Sequence, residues 1–270
     1  MMNESLIQSK ISEFDRNGVI LLKEAFTQSD IELLISGLPP TEELGKDFYC
    51  LKQNSDNYLC RIMHFHRYAS QETLRLMGHP QINSIVSQLC GESFILTADM
   101  MIFKHQNCNA RIPWHQDFVD NLNIDRIITI GIYLDDSYSN DGGVRFIRGS
   151  HKERQNICKF EHKNGHLNDL ITLNVEAGDI VIHDPMIVHS SEIMLDQKLR
   201  RTLYYEFRSE RDVKSRASWP ESFLENRKKL YKLAQKAYIE KLPRQDFNKT
   251  ILQCYESKLP IIPPNYCSCL

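Results

Sequence analysis

Residues 178–191 read GDIVIHDPMIVHSS, and this stretch decides the fold class. Its apolar part, residues 180–182, is short and β-branched, follows the turn-rich segment NVEAGD, and is interrupted at Pro185. Such a run is typical of a buried β-strand rather than of a helix. The same stretch also carries two histidines, His183 and His189.

Four more segments of this kind lie on either side of it. All are short, rich in β-branched or aromatic residues and separated by turn-rich sequence: FILTADMMIF (94–103), RIITIGIYL (126–134), GVRFI (143–147) and RRTLYYEFR (200–208). The pattern predicts an antiparallel sandwich or barrel. We therefore expect an all-β core.

Helical patterns flank this core on both sides. Residues 5–24 predict a helix that ends at the turn signal Asn17-Gly18 and is followed by a short apolar strand. Thr27 precedes the apolar run IELLISGL, so its side chain can cap a second helix. After Pro220, apolar residues three or four apart predict a C-terminal amphipathic helix.

The length of 270 residues fits one domain with a sizeable core. We expect a single domain over residues 1–270, with the β core at about 94–208. N-terminal helices are expected at 5–90 and a C-terminal helical extension at 219–270. The fold class is then an all-β core with flanking helices.

The charge balance limits the kinds of partner. The chain has 33 Lys plus Arg against 35 Asp plus Glu, so it lacks the basic excess that binds nucleic acid or anionic membranes. No apolar run approaches the roughly 18 residues that a membrane span requires, and the N-terminus has no secretory pattern. We expect a cytoplasmic protein whose partner is a small-molecule substrate.

Eight cysteines are scattered along the chain without a CxxC pair. In a reducing compartment this spacing favours free thiols over disulfides or a zinc ribbon. The last four residues, CSCL at 267–270, formally fit the C-a-a-X prenylation pattern. Neither middle residue is aliphatic, so an ordinary tail is expected there.

The candidate site begins at His115 and Asp117, which lie two positions apart in PWHQDF. Side chains two apart share one face of a strand, so both can project inward. A His-x-Asp pair with a distant histidine, here His189, is the ligand pattern of non-haem Fe(II) oxygenases, which leaves open positions on the metal. His183 is the alternative third ligand, and a buried hydrogen-bonded pair without metal is the alternative to the whole site.

Arg200 opens the strand RRTLYYEF, eleven residues beyond His189. A guanidinium binds a carboxylate through two parallel hydrogen bonds. The site is therefore suited to a co-substrate that has two acidic groups.

These segments resemble the phytanoyl-CoA dioxygenase family of Fe(II)/2-oxoglutarate oxygenases over roughly residues 8–208. The resemblance is carried by DRNGVILLKEAFT near the N-terminus, WHQD at 114–117, GGVRFIRGSHK at 142–152, GDIVIHDPMIVHSS at 178–191, and Arg200. The order and spacing of so many pieces make it specific.

The resemblance implies a double-stranded β-helix, also called a jelly roll or cupin-like barrel. It implies that Fe(II) is held by His115, Asp117 and His189. It further implies that Arg200 binds the C5 carboxylate of 2-oxoglutarate with help from the Ser191 hydroxyl.

Two further residues are candidates for contacts with the co-substrate. Thr129 carries the only aliphatic hydroxyl in the apolar run IITIGIYL. Ile102 stands where some relatives carry an Asn, and Lys104 is a candidate to replace that polar contact.

The reaction that the resemblance implies consumes 2-oxoglutarate and O2, releases succinate and CO2, and hydroxylates a substrate C–H bond. Because Asp117 is present, the halide-binding variant of the site is disfavoured. Two rival functions are a cupin-like metal protein independent of 2-oxoglutarate and a non-catalytic binding module. His64 and His66 either line the substrate pocket or, as we slightly favour, lie on a half-exposed strand.

Overall fold

The computed structural model describes residues 4–40, 47–53, 55–68, 71–108, 111–117, 125–162, 168–197, 199–215, 219–240 and 265–266. Its helices are α1 Glu4–Asn17, α2 Gln28–Ser36, α3 Gln71–Met77, α4 Pro80–Cys90, α5 Cys158–His162, α6 Glu210–Ser215 and α7 Glu221–Ile239. Its strands are β1 Val19–Leu22, β2 Phe48–Gln53, β3 Asp56–Met63, β4 Phe94–His105, β5 Ile112–Gln116, β6 Ile127–Tyr133, β7 Val144–Ile147, β8 Leu170–Thr172, β9 Ile180–His183, β10 His189–Ser191, β11 Leu199–Ser209 and β12 Asn265–Tyr266.

The strands form two sheets in which every pairing is antiparallel. The large sheet has the order β1-β9-β6-β11-β4-β3-β2, and the small sheet has the order β12-β5-β10-β7-β8. From β4 to β11 the chain passes back and forth between the two sheets. This path is the jelly-roll arrangement of eight strands. The predicted fold class is therefore confirmed, as two sheets in the described part of the chain rather than one closed barrel.

The large sheet has one apolar face, which packs against the helices. In β6, Ile128, Ile130 and Ile132 are fully buried in a core shared with residues of α1 to α4 and α7. Side chains of the opposite parity face the other way, because successive residues of a strand alternate between faces. The helices therefore seal the outer face of the sheet, and the inner face is left to form a cavity.

The predicted helix boundaries agree with the structure. Helix α1 ends at Asn17, and Gly18 follows with a φ of 79°, a left-handed conformation that glycine adopts without strain. The Thr27 side chain accepts a hydrogen bond from the amide of Asp30, and the Asp30 carboxylate accepts one from the amide of Thr27. This reciprocal cap starts α2.

The region expected to hold N-terminal helices also contains two strands, β2 and β3. They extend the large sheet beyond β4, with Arg61 opposite Ile102. The expected half-exposed strand at His64 and His66 is wrong, because β3 ends at Met63 and the chain turns at His64 with a φ of 51°. His66 is 2% exposed. Strands β2 and β3 form because they pair alongside β4, and the periodicity of the local sequence does not reveal this pairing.

Among the cysteines that the structure describes, Cys158 departs from expectation. Cys50, Cys60, Cys90 and Cys108 are free, as expected, but Cys158 is disulfide-bonded. Sequence spacing does not reveal a thiol pair that tertiary contact brings together.

The C-a-a-X pattern at 267–270, where an ordinary tail is expected, lies outside the described residues. Among the helices that the structure describes, none combines the length and the apolar character needed to cross a membrane.

A buried ionic cluster joins α7 to the large sheet. Asp99 on β4 is 1% exposed, and its carboxylate accepts hydrogen bonds from Arg227 Nη1 at 2.8 Å and from the His66 amide at 2.6 Å. The His66 ring nitrogen Nδ1 lies 2.8 Å from the same carboxylate. These contacts, with the charge of Arg227, hold the pKa of Asp99 well below its usual range despite burial.

We predict that Arg227→Met lowers the free energy of unfolding by about 3–5 kcal/mol, because the change leaves the Asp99 carboxylate buried without its cation. Urea unfolding followed by circular dichroism measures the loss. The matched control is Lys10→Met, which breaks a half-exposed ion pair with Glu13 at 2.9 Å and should cost less than about 1 kcal/mol. Equal losses in the two variants would contradict the assignment.

Candidate metal centre

The three predicted ligands converge on one point of the small sheet. Strands β5 and β10 are neighbours, His115 lies directly opposite His189, and their ring centroids are 4.1 Å apart. Asp117 follows β5, and its amide donates to the Pro185 carbonyl at 2.9 Å. Asp117 Oδ1 lies 3.2 Å from His115 Nε2, and Oδ2 lies 3.5 Å from His189 Nε2. The candidate ligand atoms all lie within 4.8 Å of one another, so they can share one ion.

Backbone contacts fix the orientation of both histidine rings. His115 Nδ1 lies 2.9 Å from the Pro113 carbonyl, and His189 Nδ1 lies 2.9 Å from the Ile187 carbonyl. A carbonyl only accepts, so each Nδ1 must carry the proton. Each Nε2 is then left with a lone pair for a metal.

The electrostatics of the cluster also suit a cation. Burial would raise the pKa of Asp117, but the imidazoles of His189 and His115 hold it well below its ordinary value. Burial, with the neighbouring His115, lowers the pKa of His189 to about 3. At neutral pH the carboxylate is therefore ionised and His189 is neutral, which are the forms that bind metal.

The pKa of His115 changes in the opposite direction. Burial would lower it, but the hydrogen bond and charge of Asp117 raise it overall. A metal ion at this site would replace the proton on His115 Nε2.

His183, the alternative third ligand, lies in the same cavity but on the other sheet. It belongs to β9, where it is opposite Thr129 of β6. Its Nε2 lies 3.7 Å from Asp117 Oδ2. It is not part of the group whose ligand atoms lie within 4.8 Å of one another. The geometry therefore favours His189 over His183 as the third ligand.

A cationic cluster lies in the same cavity. Arg200 and Lys104 are direct partners across β11 and β4, and each is 6% exposed. Arg200 Nη1 donates to Ser137 Oγ at 2.9 Å and to the Gly142 carbonyl at 2.6 Å. Lys104 Nζ donates to Ser191 Oγ. The structure thus brings together Arg200 and Ser191, which the resemblance implies as co-substrate contacts, and the candidate Lys104.

The glycine at this cluster is required by geometry. Gly142 has a φ of 70°, and a Cβ atom there would lie 2.8 Å from the Glu192 carbonyl oxygen. The Gly142 carbonyl oxygen lies 2.6 Å from Arg200 Nη1 and 3.4 Å from Lys104 Nζ. Any other residue would displace the acceptor that holds the two side chains.

The two cations influence each other. Burial and the neighbouring Arg200 guanidinium lower the pKa of the Lys104 ammonium to about 7. An anion bound between the two side chains would relieve this repulsion and favour the charged form of the lysine. The cluster is therefore suited to an anionic group.

One cavity of about 460 Å³ joins the metal cluster to the cationic cluster. Its volume is in the range of small-molecule sites. Along β11, alternate residues from Arg200 to Glu206 line it.

Thr129 also lines this cavity, but it lies opposite Glu206, six residues along the strand from Arg200. At roughly 3.3 Å per residue this is about 20 Å of strand, so Thr129 is not brought to the cationic cluster.

Sequence reasoning missed several residues of the cavity wall. Tyr204 and Glu206 line it from β11, and Met100 lines it from β4. A usable signal was present, because Tyr204 and Glu206 share strand parity with Arg200, and Met100 shares it with Lys104. The parity rule, applied along both strands, would have identified them.

The family comparison gives one clear match. The model of the phytanoyl-CoA dioxygenase (PhyH) family matches residues 14–202. That range contains His115, Asp117, His189 and Arg200. Curated proteins provide no match to the chain.

Solved structures share the fold at low sequence identity. EvdMO1 is 21% identical with a TM-score of 0.65, and the match covers 76% of this chain but only 50% of EvdMO1. EctD from S. alaskensis, with 2-oxoglutarate and 5-hydroxyectoine, is 16% identical with a TM-score of 0.64, covering 78% and 77%. The non-heme alpha ketoglutarate dependent epimerase SnoN from nogalamycin biosynthesis is 15% identical with a TM-score of 0.62, covering 77% and 82%. At these identities the likeness establishes the fold.

We predict that His115→Ala and Asp117→Ala each abolish stoichiometric binding of Co(II), because each removes one of three ligands from an open site. Calorimetric titration of the purified variants measures this. His105→Ala is the control, since His105 lies 2.8 Å from the Leu59 carbonyl and does not line the cavity. Tight binding to either ligand variant would rule out the assigned site.

Proposed function

The chain belongs to the phytanoyl-CoA dioxygenase family, and from that premise we propose that it is an Fe(II)- and 2-oxoglutarate-dependent dioxygenase that hydroxylates an unactivated C–H bond of a small molecule. The observation that carries the proposal is the presence of two clusters in one cavity. Three ligands converge within 4.8 Å, and a buried arginine and lysine line the same space. The chain is thus an enzyme of the Fe(II)/2-oxoglutarate oxygenase superfamily, and hydroxylation is the outcome that we propose for it.

The ligand residues fit ferrous iron. Two imidazoles and one carboxylate on one side of the ion leave the opposite positions open, as in other non-haem Fe(II) oxygenases. When bound there, iron supplies the coupling of 2-oxo acid decarboxylation to dioxygen reduction, with succinate and CO2 as products. The role of His115 and His189 is to keep their Nε2 lone pairs directed at the ion through their carbonyl contacts.

The cationic cluster fits the far carboxylate of 2-oxoglutarate. Arg200 can offer a guanidinium edge, Ser191 a hydroxyl, and Lys104 an ammonium group to the C5 carboxylate. In EctD, 2-oxoglutarate is bound within the same fold, which supports this reading. Because Thr129 lies with Glu206 at the other end of β11, we assign it to the substrate side of the cavity instead of to the C5 carboxylate.

The same cluster argues against the rival functions. A metal protein that does not use 2-oxoglutarate would have no need for two cations, each 6% exposed, in its cavity. Burying two neighbouring cations is unfavourable unless an anion accompanies them. A non-catalytic module would have no use for two histidines and an aspartate whose ligand atoms meet within 4.8 Å in the pattern of a metal site.

The remaining wall of the cavity would hold the substrate. Tyr204, Met100 and Ile102 form a largely apolar surface on the large sheet, between Arg200 at one end of the cavity and Glu206 at the other. Such a surface orients a substrate and excludes water from the reacting atoms. The volume of about 460 Å³ suits a small molecule in addition to the co-substrate.

The direct test is succinate release from 2-oxoglutarate by purified protein supplied with Fe(II) and O2.

We predict that Arg200→Ala weakens 2-oxoglutarate binding by about 2–5 kcal/mol. The 2-oxoglutarate concentration required should then rise from about 30-fold to several thousand-fold. Arg201→Ala is the matched control. Arg201 is the next residue, pairs with Asp135 at 2.7 Å and does not line the cavity.

Two results would contradict the proposal. The first is wild-type protein that binds Fe(II) but releases no succinate. The second is an Arg200→Ala variant with the same 2-oxoglutarate dependence as Arg201→Ala.

Lys104 leads to a prediction about pH. Its pKa of about 7 means that it is a cation below that pH and loses its charge above it. We therefore expect the affinity for 2-oxoglutarate to fall as the pH rises through the neutral range, with the midpoint moved upward by the bound dianion. Calorimetric titration of metal-loaded protein at several pH values measures the trend.

The control for this prediction is Lys104→Met, which has a similar length and no charge. Its affinity should be weaker at low pH and should vary less with pH than that of the wild type. Titration of the metal ligands contributes equally to both proteins, so the difference isolates Lys104. A Met variant that retained the full pH dependence would exclude Lys104 from the co-substrate site.

A further inference from the structure

A fourth ionisable side chain faces the metal cluster from the opposite sheet. His183 is 5% exposed, lines the cavity, and places its Nε2 3.7 Å from Asp117 Oδ2. That nitrogen is buried and has no hydrogen-bond partner. A buried polar atom left without a partner is destabilising, so its position here calls for an explanation.

His183 differs from the two histidine ligands in what its ring contacts. The Nδ1 atoms of His115 and His189 each donate to a backbone carbonyl, which reserves their Nε2 lone pairs for metal. No backbone carbonyl contacts the His183 ring among the residues that the structure describes. Its proton can therefore reside on Nε2, which makes that atom a donor.

The carboxylate of Asp117 has one oxygen that needs such a donor. Oδ1 lies 3.2 Å from His115, while Oδ2 lies 3.5 Å from His189 and 3.7 Å from His183. If one oxygen binds the metal, the other accepts from water or from a nearby side chain, since the Asp117 side chain is 40% exposed. The nitrogens of His115 and His189 that face Asp117 are committed to the metal, so His183 Nε2 is the nearest available donor.

We propose that His183 is a positioning residue of the metal centre: when a metal occupies the site, its Nε2, 3.7 Å from Asp117 Oδ2 in this structure, closes to hydrogen-bond distance and donates to that oxygen, so that the carboxylate holds the metal through Oδ1 alone. The inference rests on the proposed function, because it presupposes a metal at this site. A carboxylate bound through both oxygens would occupy a fourth coordination position. The donor from His183 keeps that position open for the small ligands of the reaction.

The test compares three variants in anaerobic Fe(II) titrations and in the visible absorption of the Co(II)-loaded protein. His183→Phe keeps the aromatic contact with Phe146, whose ring centroid lies 5.7 Å away, but has no donor. We expect it to bind Fe(II) about 10-fold or more weakly and to change the Co(II) spectrum. His183→Gln offers an amide N–H at a similar reach and should recover most of the affinity.

Thr129→Val is the matched control. Thr129 is the direct neighbour of His183 across the sheet and lines the same cavity, so it reports any general effect of changing this wall. Its Fe(II) affinity and Co(II) spectrum should match those of the wild type. If His183→Phe does not fold, as judged by circular dichroism, His183→Leu replaces it.

Either of two results overturns the inference. One is a folded Phe or Leu variant with wild-type affinity and spectrum. The other is a Gln variant as weak as the apolar one, which would mean that the ring packs but does not donate. Failure of the proposed function is distinct, because in that case the wild-type protein itself would not bind Fe(II) or release succinate.

Discussion

The antiparallel pairing of β5 with β10 is the constraint on which the site depends. It places His115 directly opposite His189 and brings two imidazoles together from positions far apart in the chain. The register becomes irregular immediately after His189, and the Asp117 amide is bound to the Pro185 carbonyl ahead of β10. Backbone hydrogen bonds thus position all three ligands, and the side chains need little further ordering when a metal binds.

The second constraint is the placement of opposite charges on the two sheets. The small sheet supplies an acidic ligand set, while Arg200 and Lys104 on the large sheet supply a positive region in the same cavity. Charges buried in a cavity interact strongly, because little water screens them. Once a divalent cation occupies the ligand set, both ends of the cavity would carry positive charge, and a molecule with an acid group at each end would be its natural complement. The helices outside the large sheet make this arrangement possible, since they cover its apolar face.

Much of the fold could be predicted from local patterns. The runs that became β4, β6 and β11 are rich in β-branched or aromatic residues and separated by turn-rich sequence, so they could be recognised without their neighbours. Strands β2 and β3 were not predicted, because they are held by pairing beside β4. The disulfide at Cys158 was missed for a similar reason, since no spacing motif accompanies it.

The sequence by itself determined which residue types could do the chemistry: His115 and Asp117 on one strand face, His189 after a broken strand, and Arg200 at the start of another. Only the tertiary structure decided how His183 and Thr129 relate to them. Strand parity is local and tells which side of a strand a residue occupies. It does not tell which sheet lies opposite or how far along a neighbouring strand a side chain is placed. Those distances are set by the register of strands that are remote in sequence. They distinguish a candidate metal ligand, His189, from a residue that faces the cluster across the cavity, His183.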